Sequence, residues 1–247
     1  MDYQDALAEI GAANAHPGGW SVTKLWRDAL DWTGVKDVLE IGCGTGSTLA
    51  ELCAWAGCSG TGVDIRRAMI QKARKRAHTL GLHHIHFEVA DAEHLPFPDE
   101  TVDLVFTESV NVFSANPLPA IREYARVLKP NGVYVDVEML VMQPVDDAWR
   151  QGVQNVYGAR FVPDQKGWKR LYRNAGFTNI EVLTTRRVDP LAMAQANSNA
   201  YPNAAMMDLS NPGVYQRKEI LEVLQSNSEW MERNSRPLGY GVFLCRK

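Results

Sequence analysis

The chain has 247 residues, 45% of them hydrophobic and 22% charged, the composition of a soluble globular protein with one large domain, or a core domain carrying an inserted cap. Its net charge of −3 gives no general pull toward nucleic acid or an anionic membrane, and no apolar run is long enough to span a bilayer.

The start, Met1-Asp2-Tyr3-Gln4-Asp5, is acidic and polar. It lacks the basic start and apolar core of a secretory signal, so a cytoplasmic location is expected. A helix is predicted over 5–15, stopped by His16-Pro17-Gly18-Gly19-Trp20, because proline and paired glycines end a helix and make a turn. Ser21 can cap a second helix running through Asp31, with Leu25, Trp26, Ala29 and Leu30 as its apolar stripe and Gly34 beyond its end. From Val35 onward strands and helices alternate, with strands predicted at 36–41, 60–63, 84–90, 102–107 and 133–138 and helices at 47–56, 66–79 and 117–128. Lys72-Ala73-Arg74-Lys75-Arg76 reads as a solvated helix face, since Ile65, Met69, Ile70 and Ala73 can turn to the core. Past 138, a helical piece over 148–157 lies in an otherwise irregular 141–162. A helix at 164–174 ending at Gly176 and strands at 178–182 and 241–245 complete the pattern.

Cys43, Cys53, Cys58 and Cys245 form no Cys-x-x-Cys pair, so free thiols are expected and zinc is not. His78, His83, His84 and His86 crowd one strand, but the alternation of Ile85, Phe87 and Val89 turns that strand's apolar face inward and leaves His84 and His86 outside, and no metal site is assigned.

Repeated strand-helix units predict an α/β fold, with a parallel sheet covered on both faces and a ligand at the carboxyl ends of its strands. Acids sit at those ends: Glu40, Asp64, Asp91, Glu108 and, on the next strand, Glu138. The first strand runs straight into Gly42-Cys43-Gly44-Thr45-Gly46-Ser47. Glycines at 42, 44 and 46 let a ligand approach the backbone closely, and Cys43 and Thr45 complete the loop. A dinucleotide fingerprint would want Gly at position 47, which is Ser. Glu40 just before the loop would repel a pyrophosphate but attract an ammonium group, directly or through water.

At these residues the chain resembles the class I S-adenosylmethionine-dependent methyltransferases, whose first motif is an acid followed by Gly-x-Gly-x-Gly. Asp91-Ala92-Glu93-His94-Leu95-Pro96-Phe97 and Val127-Leu128-Lys129-Pro130-Asn131-Gly132 are similar to the small-molecule, ubiquinone and menaquinone methyltransferase-like members. In the latter run Asn131 replaces a glycine, a substitution tolerated if the turn needs positive φ. The resemblance covers residues 35 to 140. It implies a doubly wound, Rossmann-like, mostly parallel seven-stranded sheet with an antiparallel last strand, plus a helical cap. About 50 residues separate the last two predicted strands, too many for a bare loop. The expected division is therefore an N-terminal helical cap segment at 1–34, a core of 35–185 and 238–247, and an inserted helical cap at 186–237.

The resemblance also implies S-adenosyl-L-methionine as cofactor, held by Glu40, the 42–46 loop, Asp64 on the ribose, and Asp91 on the adenine amino group, with Ile65 and Ala92 beside them. Asp64 and Asp91 can alternatively serve as helix caps. Glu108 either holds the cofactor's methionine part or orients or deprotonates a substrate. His16 is the next candidate base, and Glu138 follows. His16 and Trp20 line the site or form a surface turn. Tyr157 and, in the cap, Tyr201 are candidates for the substrate wall, with Met193, Met206, Met207, Leu209, Tyr215, Asn197, Asn199 and Asn203 as pocket or core. Without the Asp/Asn-Pro-Pro-Tyr/Phe run after the fourth strand or a Pro-Cys pair, a nucleic-acid substrate is disfavoured. The expected reaction is methyl transfer to an O, N or C nucleophile of a small molecule. The alternatives are a nicotinamide-dependent oxidoreductase and a non-catalytic binder of the same cofactor; exposed cap aromatics are compatible with a homo-oligomer.

Overall fold

The computed structural model describes residues 1–12, 15–189, 213 and 217–247; Tyr201 and the other cap residues named above between 193 and 215 lie outside them. Among the described residues, β1 (Asp37–Ile41), β2 (Ser59–Asp64), β3 (Ile85–Val89), β4 (Val102–Glu108), β5 (Leu128–Val141), β6 (Asn179–Arg187) and β7 (Leu238–Arg246) form one sheet in the order β3-β2-β1-β4-β5-β7-β6. The first five run parallel, and β7 lies antiparallel between β5 and β6. β1 and β4 are neighbours, and the chain winds away from them in opposite directions. This is the switch point at whose carboxyl edge a crevice opens. Glu40 and Glu108 end their strands at that edge.

The helices are α1 (Tyr3–Ile10), α2 (Gly19–Ala29), α3 (Ser47–Ala56), α4 (Arg67–Thr79), α5 (Leu118–Val127), α6 (Asp147–Tyr157), α7 (Gln165–Asn174) and α8 (Lys218–Asn234). Central strands carry continuous buried runs, Val38 to Ile41 and Leu104 to Thr107, because helices cover both faces of a parallel sheet. α1 packs on α8 through Ala6 and Ile220 and on α4 through Leu7, Ala8 and Met69, so it bridges the two over the crevice.

Several boundaries differ from expectation. α1 starts earlier and is shorter, because Asp2 and Asp5 form a capping box at its start and Gly11, at φ +66°, closes its end. The paired glycines begin α2 instead of only preceding it. Gly18 at φ +83° is the N-cap, and Ser21 donates its hydroxyl to Gly18 O (2.7 Å) without capping the helix. β5 is continuous through Pro130 to Gly132; its pairing with β4 jumps from Val102–Leu128 to Leu104–Val133, so the turn is absorbed as a bulge. Asn131 does not take up positive φ. Gly132 is needed for space, since a Cβ there would lie 2.7 Å from Leu128 and 3.0 Å from two carbonyl oxygens. Ile65 does not face the core: it is 66% exposed, and Val89 is 41% exposed.

Candidate active site

The loop from β1 to α3 takes its shape from its glycines and from two carboxylates. At Gly46, φ +72°, a Cβ would come within 2.5 Å of the Phe87 ring, whereas at Gly44, φ +51°, it would meet nothing within 4 Å. Gly46 is therefore a packing glycine, and Gly44 leaves its side of the loop open to a ligand. The Gly44 N–H donates to Asp64 Oδ2 (3.0 Å) and the Arg66 N–H to Asp64 Oδ1 (2.8 Å), so the end of β2 is tied to the loop. Glu40 reaches across to accept from the Leu49 N–H (3.2 Å) in the first turn of α3, satisfying one of the donors every helix start leaves open. Burial, reinforced by the charge of Glu108, pushes the Glu40 carboxyl well above the usual range, and burial also raises Asp64. A cation entering beside them would offset that cost.

Glu108 is the most heavily bonded acid in the site. Its Oε1 accepts from Thr23 Oγ1 (2.7 Å) and Trp26 Nε1 (3.0 Å); its Oε2 accepts from Thr48 Oγ1 (3.0 Å) and lies 3.1 Å from His16 Nε2. Burial alone would raise its pKa, but the His16 charge and the hydrogen bonds from His16, Thr23 and Trp26 outweigh burial and hold it below its ordinary value. The carboxylate thus stays ionised and pins α2 and the 15–18 turn to the end of β4. The next residue, Ser109, has φ +59°, an unusual conformation for a residue with a Cβ. The Glu138 carboxylate holds the bend that follows, accepting from the N–H groups of Val110 (2.8 Å) and Asn111 (2.6 Å).

Two cavities open at this edge. The first, of about 100 Å³, is lined by the 42–45 stretch of the loop, Glu40, Asp64, Arg66 and Glu108. Three carboxylates against one guanidinium suit a cationic ligand and disfavour a pyrophosphate. The second, of about 200 Å³, is lined mainly by apolar side chains, among them Tyr3 of α1, Phe113, Met139 of β5, Tyr157 of α6, Met231 of α8 and Leu238 of β7. His16 and Ser109 line both.

A methyltransferase-domain family matches residues 38–132, the stretch from β1 to the β5 bulge. Over 248 aligned residues, covering 99% of both chains, the sequence is 30% identical to an uncharacterised methyltransferase, YodH, of Bacillus subtilis. The chain belongs to the class I S-adenosylmethionine-dependent methyltransferases. It is also 30% identical to the ubiquinone/menaquinone biosynthesis C-methyltransferase UbiE of Cronobacter sakazakii, over 65% of this chain and 75% of that one. Among solved structures, the phosphoethanolamine N-methyltransferase 2 of Haemonchus contortus in complex with S-adenosyl-L-methionine superposes with a TM-score of 0.73. The superposition covers 99% of this chain and 56% of that one at 17% identity. The methyltransferase uses S-adenosyl-L-methionine, and the acid-lined first cavity fits a sulfonium and an ammonium. The Ser47 hydroxyl, buried there without a partner among the described residues, leaves a donor for the same ligand.

The expected site residues fall into three groups. Glu40, Gly42, Cys43, Gly44, Thr45, Asp64, Glu108 and His16 line the first cavity, and Gly46 supports it from behind. Ile65, Asp91 and Ala92 lie outside its wall, on the exposed flank at the ends of β2 and β3; Asp91 accepts from the Glu93 N–H (2.9 Å). Tyr157 lines the second cavity, whereas Trp20 and Glu138 line neither. Glu138 is fully buried beneath the 109–111 bend, and burial, then the Asp136 charge, pushes its carboxyl well above the usual range; it shapes the wall from behind. Sequence reasoning missed Thr23, Thr48 and Trp26 on Glu108, and Ser109 and Asn227 in the second cavity. The helical stripe marks Trp26 as buried but cannot show that its indole N–H meets an acid 82 positions away.

Proposed function

We propose that this methyltransferase acts on a small-molecule acceptor bound in the second cavity and transfers the methyl group to an O, N or C nucleophile there. The observation that carries the reading is the wall of His16 and Ser109 shared by the acid-lined cavity and the larger, mainly apolar one. An acceptor in the second can meet a methyl group presented from the first, out of contact with water.

S-adenosyl-L-methionine supplies an already activated methyl group on a sulfonium. In this reading the backbone of Gly42, Cys43, Gly44, Thr45 and Gly46 forms the floor beneath it, and Asp64 accepts from the two ribose hydroxyls. Glu40 and Glu108 provide negative charge near the sulfonium and ammonium. Asp91, with Ile65 and Ala92, forms an open flank for the adenine. His16, oriented by Glu108, is the base where the nucleophile carries a proton. Residues 1–34 and α8 act as caps on the core, whose strand β6 runs past the expected boundary at 185 to Arg187. The net charge of −3 supports a small molecule over nucleic acid, and a cytoplasmic setting is consistent with this use. No helix among the described residues is long and apolar enough to cross a membrane.

The test is to incubate the purified protein and methyl-labelled cofactor with a cell extract, then separate products by size. Label is expected in the fraction below about 1 kDa; label confined to protein or nucleic acid would refute the small-molecule reading.

A further inference from the structure

Six buried side-chain polar atoms lack a hydrogen-bond partner among the described residues, and three of them, His16 Nδ1, Ser109 Oγ and Asn227 Nδ2, belong to residues lining the second cavity. An unmet buried polar atom costs about 1–3 kcal/mol. Three on residues of one cavity wall point to polar groups on the molecule that fills it.

Two of the three have a chemical sense set by their neighbours, while the Ser109 hydroxyl can donate or accept. His16 Nε2 faces the Glu108 carboxylate at 3.1 Å, and an ionised carboxylate only accepts. In the neutral form that can act as a base, the imidazole therefore carries its proton on Nε2, and Nδ1 then offers a lone pair to an acceptor's O–H. Asn227 Oδ1 accepts from the Tyr157 hydroxyl (3.0 Å). With Oδ1 engaged in that bond, Nδ2 is left to donate to an oxygen. The remaining surface comes from groups such as Tyr3, Phe113, Met139, Met231 and Leu238, and no Asp, Glu, Lys or Arg is among the described residues lining the cavity. A carboxylate, phosphate or ammonium on the acceptor would be desolvated there without a counter-charge.

We propose that the second cavity takes an uncharged, largely apolar acceptor bearing a phenolic or enolic hydroxyl and a second, hydrogen-bond-accepting oxygen, and that the product is a methyl ether. The hydroxyl lies at His16 Nδ1, on the wall common to both cavities, and the second oxygen accepts from Asn227 Nδ2. An imidazole base is matched to a phenolic or enolic proton and poorly to that of an aliphatic alcohol. In the step, Nδ1 takes the hydroxyl proton while the acceptor oxygen forms a bond to the methyl carbon. The S–CH₃ bond breaks with its electron pair remaining on sulfur, giving neutral S-adenosylhomocysteine. The imidazolium then releases the proton to solvent. Glu108 stays ionised throughout and acts as a positioning residue for His16.

This inference rests on the second cavity being the acceptor site, and the experiment separates the two. A panel of uncharged hydroxyaryl ketones of one to three rings, each paired with its carboxylate analogue, is titrated calorimetrically into protein saturated with S-adenosylhomocysteine. The same panel is then assayed for methyl ethers by mass spectrometry. At least one ketone is expected to bind ten-fold or more tightly than its carboxylate and to yield its methyl ether. His16→Gln should lower kcat by about 100-fold or more and change the wild-type pH profile, with a smaller, about ten-fold, loss of ketone binding from the missing bond at Nδ1. Asn227→Ala should raise the ketone's Kd and KM by about ten-fold, a loss of about 1.4 kcal/mol, and leave S-adenosylhomocysteine binding unchanged. Preference for the carboxylates, methylation at carbon only, or an unaltered pH profile in His16→Gln would each overturn the proposal. So would a complete absence of ketone binding and methylation. If label enters small molecules from the extract but no hydroxyaryl ketone binds, the acceptor class is wrong and the small-molecule reading stands. If label enters only macromolecules, both fall.

Discussion

The two halves of the site are built in opposite ways. The acid-lined cavity grows from a local nucleus: Glu40, the 42–46 loop and Asp64 lie within 25 consecutive residues, placed by one strand-turn-helix unit with its neighbouring strand, and His16 and Glu108 close it from elsewhere. The second cavity is assembled from Tyr3 of α1, His16, Ser109 after β4, Tyr157 of α6 and Asn227 of α8. One polar link in it, Tyr157 to Asn227, spans 70 positions. A site made of one supersecondary unit can keep its ligand across a family. One made of contributions from distant elements can change its ligand when any contributor changes.

The sharpest way to break this comparison is Asp64→Ala, which should reduce S-adenosylhomocysteine affinity by about 100-fold, since two hydrogen bonds to a carboxylate are lost. Calorimetry giving wild-type affinity would remove Asp64 from the cofactor side. Next come the two glycines. Gly46→Ala places a Cβ 2.5 Å from the Phe87 ring at φ +72° and should destabilise the fold by about 3 kcal/mol in urea melts. Gly44→Ala, with space around its Cβ, should cost only about 1 kcal/mol and weaken S-adenosylhomocysteine binding instead. Equal destabilisation by the two would mean that both are packing residues.

Glu108 joins the halves, and its effect should depend on pH. Its folded-state value lies below the ordinary 4.5, so its stabilisation is fully present above that pH and is lost as pH falls further, through the depressed folded-state value. At pH 7, Glu108→Gln should cost about 2 kcal/mol, and the difference from wild type should shrink on acidification below 4.5. A pH-independent difference would show that the carboxylate's charge is not what secures the N-terminal segment. The smallest effect is expected from Tyr157→Phe. Losing its bond to Asn227 should cost about 1 kcal/mol of stability and raise the KM for a bound ketone, while S-adenosylhomocysteine affinity stays unchanged. A fall in cofactor affinity would mean that the two sides are not separable.

Alternating strand and helix patterns, the acids at strand ends and the glycine loop were legible because each is a local signal: hydrophobic period, turn chemistry and cap residues act over a few positions. α3 fell at the expected 47–56 for that reason. The short α1 was missed because a long apolar pattern hides a stop whose cause is one left-handed glycine, Gly11. The bulge before Val133 was missed because it depends on how β5 meets β4.

The family and the cofactor were therefore legible in the sequence itself, through one glycine-rich motif and the order of its strands. Only the tertiary structure decided that Glu108 is an anchor with four donors, that Glu138 supports a bend from behind, and that His16, Ser109 and Asn227 line one cavity. Hydrogen bonds between residues 23 and 108, or 157 and 227, leave no periodicity in the chain; they exist only once packing has brought those elements together.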